Sequence, residues 1–288
     1  MHPLISIITI NYNNQKGLTR TLDSVYSQDY VDYEHIIIDA NSSDGSKEVI
    51  EEYKNKSNNL TFWVSEPDNG IYNGMNKGII HAKGEYLLFL NSGDFLEDEV
   101  LNKVHTSLTG EDLIYGNINF ISSTGEKRLQ VFSPPPFSIT ELISPSFYLP
   151  HPATFIKGML LKKLLYTEQY KIVSDWEFWL KAIIFEQCSM KYINLCITNF
   201  YEGGISANIP VVMKEREEVL AKLFPPLIFN GLQELSTAQS SPLYKSLQQT
   251  IDNKKLQLKL EKVIHYYKKI YDIFSHNKPN ASTNNKTV

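Results

Sequence analysis

Residues 65–94, SEPDNGIYNGMNKGIIHAKGEYLLFLNSGD, constrain this chain more than any other stretch, because they end where an apolar run stops at an acid. Residues 86–90 (YLLFL) form a short, almost unbroken apolar segment, which suits a strand of a parallel sheet covered on both faces. Asn91-Ser-Gly-Asp94 follows at once, so small polar groups and one carboxylate fall at the strand's carboxyl end. In open α/β sheets that edge is where ligands bind. Upstream, Ile71, Met75 and Ile79 recur every four residues and mark a helix with one face on the sheet, Asn76 and Lys77 lying beside it. Lys77 reads equally as a ligand for phosphate and as a solvent-facing helix residue.

The chain before this stretch repeats the same unit. Residues 4–10 read as the first central strand, rich in Ile and interrupted only by Ser6 and Thr9. Asn11-Tyr-Asn-Asn14 makes a loop, and Leu18, Leu22 and Val25 mark a helix that ends near Gln28. Tyr12 sits just past the strand, where its ring can stack on a base or lie on the surface. Residues 35–40 (HIIIDA) are the second strand, with Asp39 at its carboxyl end, and residues 60–65 are the third, with Asp68 just beyond it. Between them, Asp44 or Ser46 caps a helix through Val49, Ile50 and Tyr53. Strands alternating with helices over short connections predict a parallel sheet with right-handed crossovers. Asp39, Asp68 and Asp94 are then expected to converge at neighbouring strand ends. Acids so clustered want a cation or a donor-rich ligand.

Beyond Asp94, Val100, Leu101, Val104 and Leu108 suggest a helix, residues 113–120 a strand, and Gly125 a turn before residues 127–132. Ser133-Pro-Pro-Pro136 cannot pair as a central strand and marks a seam. In Ser174-Asp-Trp-Glu177 the spacing predicts a capping box opening a helix, with Trp176, Trp179, Leu180 and Ile183 as its buried stripe and Asp175 in its first turn. Pro225-Pro226 stops a charged amphipathic helix over 211–223, and Ser241-Pro242 opens a long helical segment to about Phe274, its apolar positions set among Lys254, Lys255, Lys259, Lys262, Lys268 and Lys269. That pattern suits packing on the core, self-association or docking on an anionic membrane surface. Residues 277–288 read as a disordered tail.

Together, E-x-D-x-G-I-Y-x-x-M-N-K-G (residues 66–78), L-N-x-G-D (90–94), H-x-A-T-F (151–155), S-D (174–175) and G-G-I-S (203–206) resemble family 2 glycosyltransferases over roughly residues 4 to 206. Several motifs in the family's order are far more specific than one glycine pattern. The resemblance implies a GT-A-like α/β fold, a mostly parallel central sheet flanked by helices, with residues 1–132 as the nucleotide-sugar half and 133–210 as the acceptor half; beyond it, the residue pattern predicts a helical C-terminal extension over 211–275. The resemblance also implies an inverting enzyme that moves a sugar from a nucleoside diphosphate donor, expected to be UDP-linked, to a glycan or lipid-linked acceptor in bacterial surface polysaccharide synthesis. Thr9, Tyr12, Asp39, Asp68, Lys77, Asn91 and Gly93 are expected at the donor, and Asp175 as general base. His151, Trp176, Gly203 and Gly204 are expected on the acceptor side or in a lid that closes over the donor. Many relatives carry D-x-D where this chain has Asn91-Ser-Gly-Asp94, so Asp94 alone is left to hold Mg²⁺ or Mn²⁺.

Other classes fit less well. There is no G-x-G-x-x-G and no P-loop, and a sugar-1-phosphate nucleotidyltransferase would carry a Gly-rich loop with Arg and Lys where Asn11–Asn14 stands. A non-catalytic sugar-nucleotide-binding or assembly protein is the alternative, favoured by the missing first acid. The net charge of -4 argues against a general nucleic-acid binder. With 2 cysteines, Cys188 and Cys196, there is no disulfide framework. The first residues lack the basic and apolar regions of a signal peptide, and no apolar run reaches the roughly 18 residues of a membrane span. The expected location is the cytoplasm, with peripheral contact at the inner face of the membrane or a homodimer through the C-terminal helices as the partners of the extension.

Overall fold

The computed structural model describes residues 2–201, 203, 208–242, 262 and 265. The first half follows the expected alternation: β1 (Ile5–Asn11), α1 (Gln15–Tyr26), β2 (Tyr33–Asp39), α2 (Ser46–Lys56), β3 (Leu60–Ser65), α3 (Ile71–His81) and β4 (Tyr86–Phe89). Every residue of β1, β2 and β4 is buried, as strands covered on both faces require. Ile5 and Ile7 pack on one side with Tyr86 and Leu88, while Ile8 and Ile10 face Met75 and Ile79 of α3 on the other.

The second half completes the sheet in a way that periodicity does not announce. It contains β5 (Phe95–Leu96), α4 (Val100–Val104), β6 (Leu113–Ile121), β7 (Lys127–Gln130), α5 (Ile139–Ile143), β8 (Thr154–Lys157), α6 (Gly158–Leu164), α7 (Ser174–Leu180) and β9 (Met190–Tyr201). The order is β3-β2-β1-β4-β8-β6-β9-β5, with β7 on β6. The strands β3, β2, β1 and β4 are parallel, β8 runs against both its neighbours, and β9 is parallel to β6 and antiparallel to β5. The sheet is therefore parallel over β3-β2-β1-β4 and mixed beyond it.

The compact unit ends at Phe224, so α8 (Ile209–Leu223) belongs to it rather than to a separate extension from residue 211. Glu215, Arg216 and Val219 of α8 are buried within that unit. In the second unit, α9 (Pro226–Ser240) opens on Pro226, whose missing N–H costs nothing at a helix start. Nearly all of the long helix expected over 241–274 lies outside the described residues. Among those described, no helix is long and apolar enough to cross a membrane.

Helix α3 lies on β1 through glycines. A Cβ on Gly78 would stand 2.4 Å from Ile8 Cγ2, and Ile8 is β-branched and buried in a strand, so it cannot swing aside. Alanine gains about 1 kcal/mol of helix propensity over glycine, whereas overpacking costs about 1–3 kcal/mol. The clash wins, since Ile8 cannot yield: Gly78→Ala is expected to lower unfolding free energy by up to roughly 2 kcal/mol, read as a lower urea midpoint at unchanged slope.

Candidate active site

The 91–94 turn is built by side chains of the first helix. Gly93 takes a φ of 110°, open to glycine at no cost. Thr21 of α1 accepts from the Gly93 N–H at 3.0 Å and donates to the Asp94 carbonyl at 2.6 Å. Asn14 caps α1 by accepting from the Gly17 N–H and donates to the Ser92 carbonyl at 2.9 Å. The turn is thereby fixed to the start of α1, and it divides two adjoining cavities that share Asn14, Ile71, Asn91 and Ser92.

The outer cavity, about 750 Å³, sets Tyr12, Asn41 and Asp68 on its walls beside the apolar Ile10, Pro67 and Ile71. Tyr12 is 66% exposed, a free ring face beyond the end of β1. Asp68 holds the loop before α3 by accepting from the Gly70 N–H at 2.9 Å. The inner cavity, about 420 Å³, brings Asp94 and Asp175 together with Gly93, His151 and Gly203. Gly204 lies outside the described residues.

The two acids of the inner cavity differ in environment. Asp94 is 7% exposed, and burial pushes its carboxyl up to about 8, against the opposing pull of the Tyr201 backbone N–H. Asp175 opens α7, and its Oδ1 accepts from the Tyr72 hydroxyl at 3.1 Å and from the Trp176 N–H at 2.8 Å. His151 stacks on Phe89 at 4.9 Å and shares a 2.8 Å hydrogen bond with the Tyr166 hydroxyl. Burial lowers the His151 pKa, an effect that the charge of Asp175 opposes.

Four expected site residues stand elsewhere. Thr9 is fully buried and bonded to His35 at 2.9 Å, a contact inside the sheet. Asp39 has no exposed surface, and its carboxylate accepts from Asn11 Nδ2, the Ser42 N–H, Ser42 Oγ and Ser65 Oγ at 2.7, 2.9, 2.5 and 2.5 Å. Those four donors take its acceptor directions, and it ties strand ends together. The ammonium of Lys77 pairs with Glu66 at 2.7 Å and donates to the Pro67 carbonyl, bracing the loop that carries Asp68. Trp176 is 3% exposed, donates to the Leu142 carbonyl and lies under the Arg216 guanidinium, so it is core rather than acceptor surface. The capping box also fails: Ser174 Oγ is used by the Thr167 N–H, and buried Glu177 pairs with Lys181.

Asn14, Tyr72 and Tyr201 line the inner cavity without having been singled out in the sequence. Asn14 and Tyr72 stand within motifs that were read for other residues, so their neighbourhood was a usable signal. Tyr201 ends β9, a strand placed only by its pairing, and Arg20 of α1 covers its ring at 4.4 Å.

A divalent cation fits this donor set sparsely. Among the described residues no three His, Cys, Asp or Glu side chains cluster as a metal cage. Asp94 offers one carboxylate, and Asn91 Oδ1 is a buried oxygen with no hydrogen-bond partner. Mg²⁺ and Mn²⁺ accept one or two protein carboxylates and complete their shell with phosphate oxygens and water. Such an ion would also relieve the burial that holds Asp94 protonated at neutral pH.

The topology is that of GT-A glycosyltransferases. The structure of Staphylococcus aureus TarS (residues 1–349) with UDP superposes at a TM-score of 0.60, with 20% identity, over 83% of this chain and 71% of that one. The mannosyltransferase of Pyrobaculum calidifontis, solved with GDP-Man and Mn²⁺, superposes at 0.55 with 15% identity over 92% of this chain and 81% of its own. Residues 6–164 match the model of Glycosyl transferase family 2, and the chain belongs to that family. An uncharacterized glycosyltransferase of Mycobacterium tuberculosis is 33% identical over 213 residues, covering 72% of this chain and 78% of the relative. A glycosyltransferase of PGL/p-HBAD biosynthesis from Mycobacterium bovis is 27% identical over 214 residues, covering 72% and 80%.

Asp94 gives a pH dependence with a defined sign. Its folded pKa of about 8 lies above the ordinary 3.8, so the folded state keeps a proton that the unfolded state has lost. The contribution is complete below the lower value and disappears as pH rises through the higher one. Between about pH 5 and 7, metal-free wild type should lose about 1.4 kcal/mol of stability per pH unit relative to Asp94→Asn. Parallel urea titrations of the two proteins measure this, and parallel pH dependences would show that Asp94 is ionised in the fold.

Proposed function

We propose that this glycosyltransferase transfers a sugar from a UDP-linked donor, with inversion, to a hydroxyl of a glycan or lipid-linked acceptor in surface polysaccharide synthesis. The observation that carries the reading is the presence in one cavity of two carboxylates in unlike settings, Asp94 on the β4 turn and Asp175 at the start of α7. Inversion needs a base on the face opposite the leaving group, and Asp175, with Oδ1 occupied by Tyr72 and Trp176, has Oδ2 left to take the acceptor proton. Tyr12 supplies a stacking face for the base and Asp68 an acceptor for the ribose hydroxyls in the outer cavity. Gly93 and Asn91 line the inner cavity without bulk, where a diphosphate can approach the backbone.

Asp94 and Asn91 Oδ1 would hold Mg²⁺ or Mn²⁺. When bound, the ion neutralises charge that develops on the departing diphosphate. The UDP and UDP-GlcNAc complexes of TarS support a nucleotide-sugar donor, and the name of the M. bovis relative supports a role in glycan or glycolipid assembly. A lipid-linked acceptor would bring the enzyme to the inner face of the cell membrane, a setting the lysines over 254–269 suit, as does a homodimer through the same segment.

Calorimetric titration of UDP and GDP, with and without Mn²⁺, tests the donor site. UDP is expected to bind in a Mn²⁺-dependent manner that Asp94→Ala abolishes; binding of GDP alone would replace the donor class, and binding of neither would remove the site. Asp175→Asn should lower turnover by about 10²- to 10⁴-fold while UDP affinity holds, as loss of a general base predicts. Release of UDP from UDP-N-acetylglucosamine and UDP-glucose provides the readout, and full turnover by the variant would assign the base elsewhere.

A further inference from the structure

The segment that presents Asp175 has no regular structure of its own before α7 begins at Ser174. Lys171 and Ile172 of this segment line the inner cavity, as does Asp175, and Lys171 is the one lysine or arginine to do so among the described residues. A loop that carries a reacting group must be fixed by something, since a displacement of about 1 Å can cost 10²-fold in rate. Here the fixing group is Glu215 of α8. Its side chain is buried, 8% exposed, and its carboxylate accepts from the backbone N–H of Lys171 at 2.8 Å, of Ile172 at 3.0 Å and of Val173 at 3.3 Å. Three successive N–H groups on one buried carboxylate are charge-assisted bonds, roughly twice as strong as neutral ones.

The same segment is gripped from the other side. The Tyr72 hydroxyl of α3 reaches the Ile172 carbonyl at 2.5 Å and Asp175 Oδ1 at 3.1 Å. Next to Glu215, Arg216 donates to the carbonyls of Ser144 and Phe147 and covers Trp176, the neighbour of Asp175. Helix α8 therefore touches both sides of the base without lining the cavity itself. Residues 171–175 and Glu215 all lie beyond residues 6–164, which the family model matches.

We propose that Glu215 is a positioning residue for the transfer reaction, its buried carboxylate clamping the backbone of residues 171–173 so that Asp175 faces the inner cavity. The proposal rests on Asp175 being the base. It assigns Glu215 no contact with substrate, so its loss acts on turnover and leaves the donor pocket, built by α1 and the β1–β4 loops, as it is.

The test uses Glu215→Gln, which keeps shape but turns an NH₂ toward N–H donors, and Glu215→Ala. Both are expected to release UDP from UDP-N-acetylglucosamine about 10- to 100-fold more slowly, with donor KM and UDP affinity within about twofold of wild type. Hydrogen exchange at the amides of residues 171–173 should accelerate in both, while exchange in β1, β2 and β4 is unchanged. Unchanged exchange at 171–173, or accelerated exchange with wild-type turnover, would overturn the proposal. So would turnover and UDP affinity falling together with accelerated exchange throughout the sheet, the mark of a general structural role. Should neither Glu215 variant fold, hydrogen exchange of the wild type decides: amides of residues 171–173 protected well beyond those of open loops support the clamp, and amides exchanging as freely as open loops overturn it. Asp175→Asn run in parallel separates the two readings, because full turnover there removes the base while the exchange data still report whether Glu215 holds the loop.

Discussion

A buried carboxylate must be satisfied where it stands, and in this chain the requirement at Asp39 sets the geometry of the whole ligand edge. Leaving an ion of this kind without partners costs several kcal/mol, so the native arrangement surrounds it with donors. They come from Asn11 at the end of β1, Ser42 after β2 and Ser65 at the end of β3. One side chain thus locks three strand ends at a common level. The loops that leave those ends, carrying Tyr12, Asn41 and Asp68, start from fixed points and enclose the outer cavity without being regular themselves. A second knot does the same for β4: Thr21 and Asn14 pin the 91–94 turn to α1. The site is open because its supports are closed.

The inner cavity needs a wall on the far side of Asp94, and that wall comes from the half of the sheet that is not parallel. Strand β8 reverses direction between β4 and β6, which places His151 above Phe89 and lets the chain return along α6 and α7 to the cavity. Strand β9 then runs back beside β6 and delivers Tyr201 to Asp94. The burial that raises the Asp94 pKa is thus a consequence of β9 covering the β4 turn. That link connects sheet topology to the chemistry a cation would meet.

Much of the first half was legible in the sequence because its signals are local. Apolar strands, four-residue helical spacing and polar turns put β1 to β4 and α1 to α3 near their observed places. Tyr12, Asp68, Asn91, Gly93, Asp94, His151, Asp175 and Gly203 do line the cleft. What failed was the choice among similar residues. Asp39 and Asp94 both follow apolar strands, and nothing near Asp39 in the sequence says that Asn11 and Ser65, each at least 26 residues away, will fill its coordination. Ser174 and Glu177 have the spacing of a capping box, but Thr167 and Lys181 compete for them and win. Strands β5, β8 and β9 gave no usable local pattern: two are very short, and β9 makes sense only beside β6.

The division of labour has a physical logic. Groups that must hold a ligand lie on turns fixed by short-range hydrogen bonds to the first helix and the strand ends, which can form once the parallel half is in place. The group proposed for proton transfer stands in the first turn of α7, behind a loop whose supports, Tyr72 and Glu215, come from α3 and α8, far apart in sequence. Contacts of such separation form only when the chain is nearly complete. The proposed donor pocket and the proposed base therefore depend on different parts of the fold, so that a substitution in α8 is expected to disturb the second without the first.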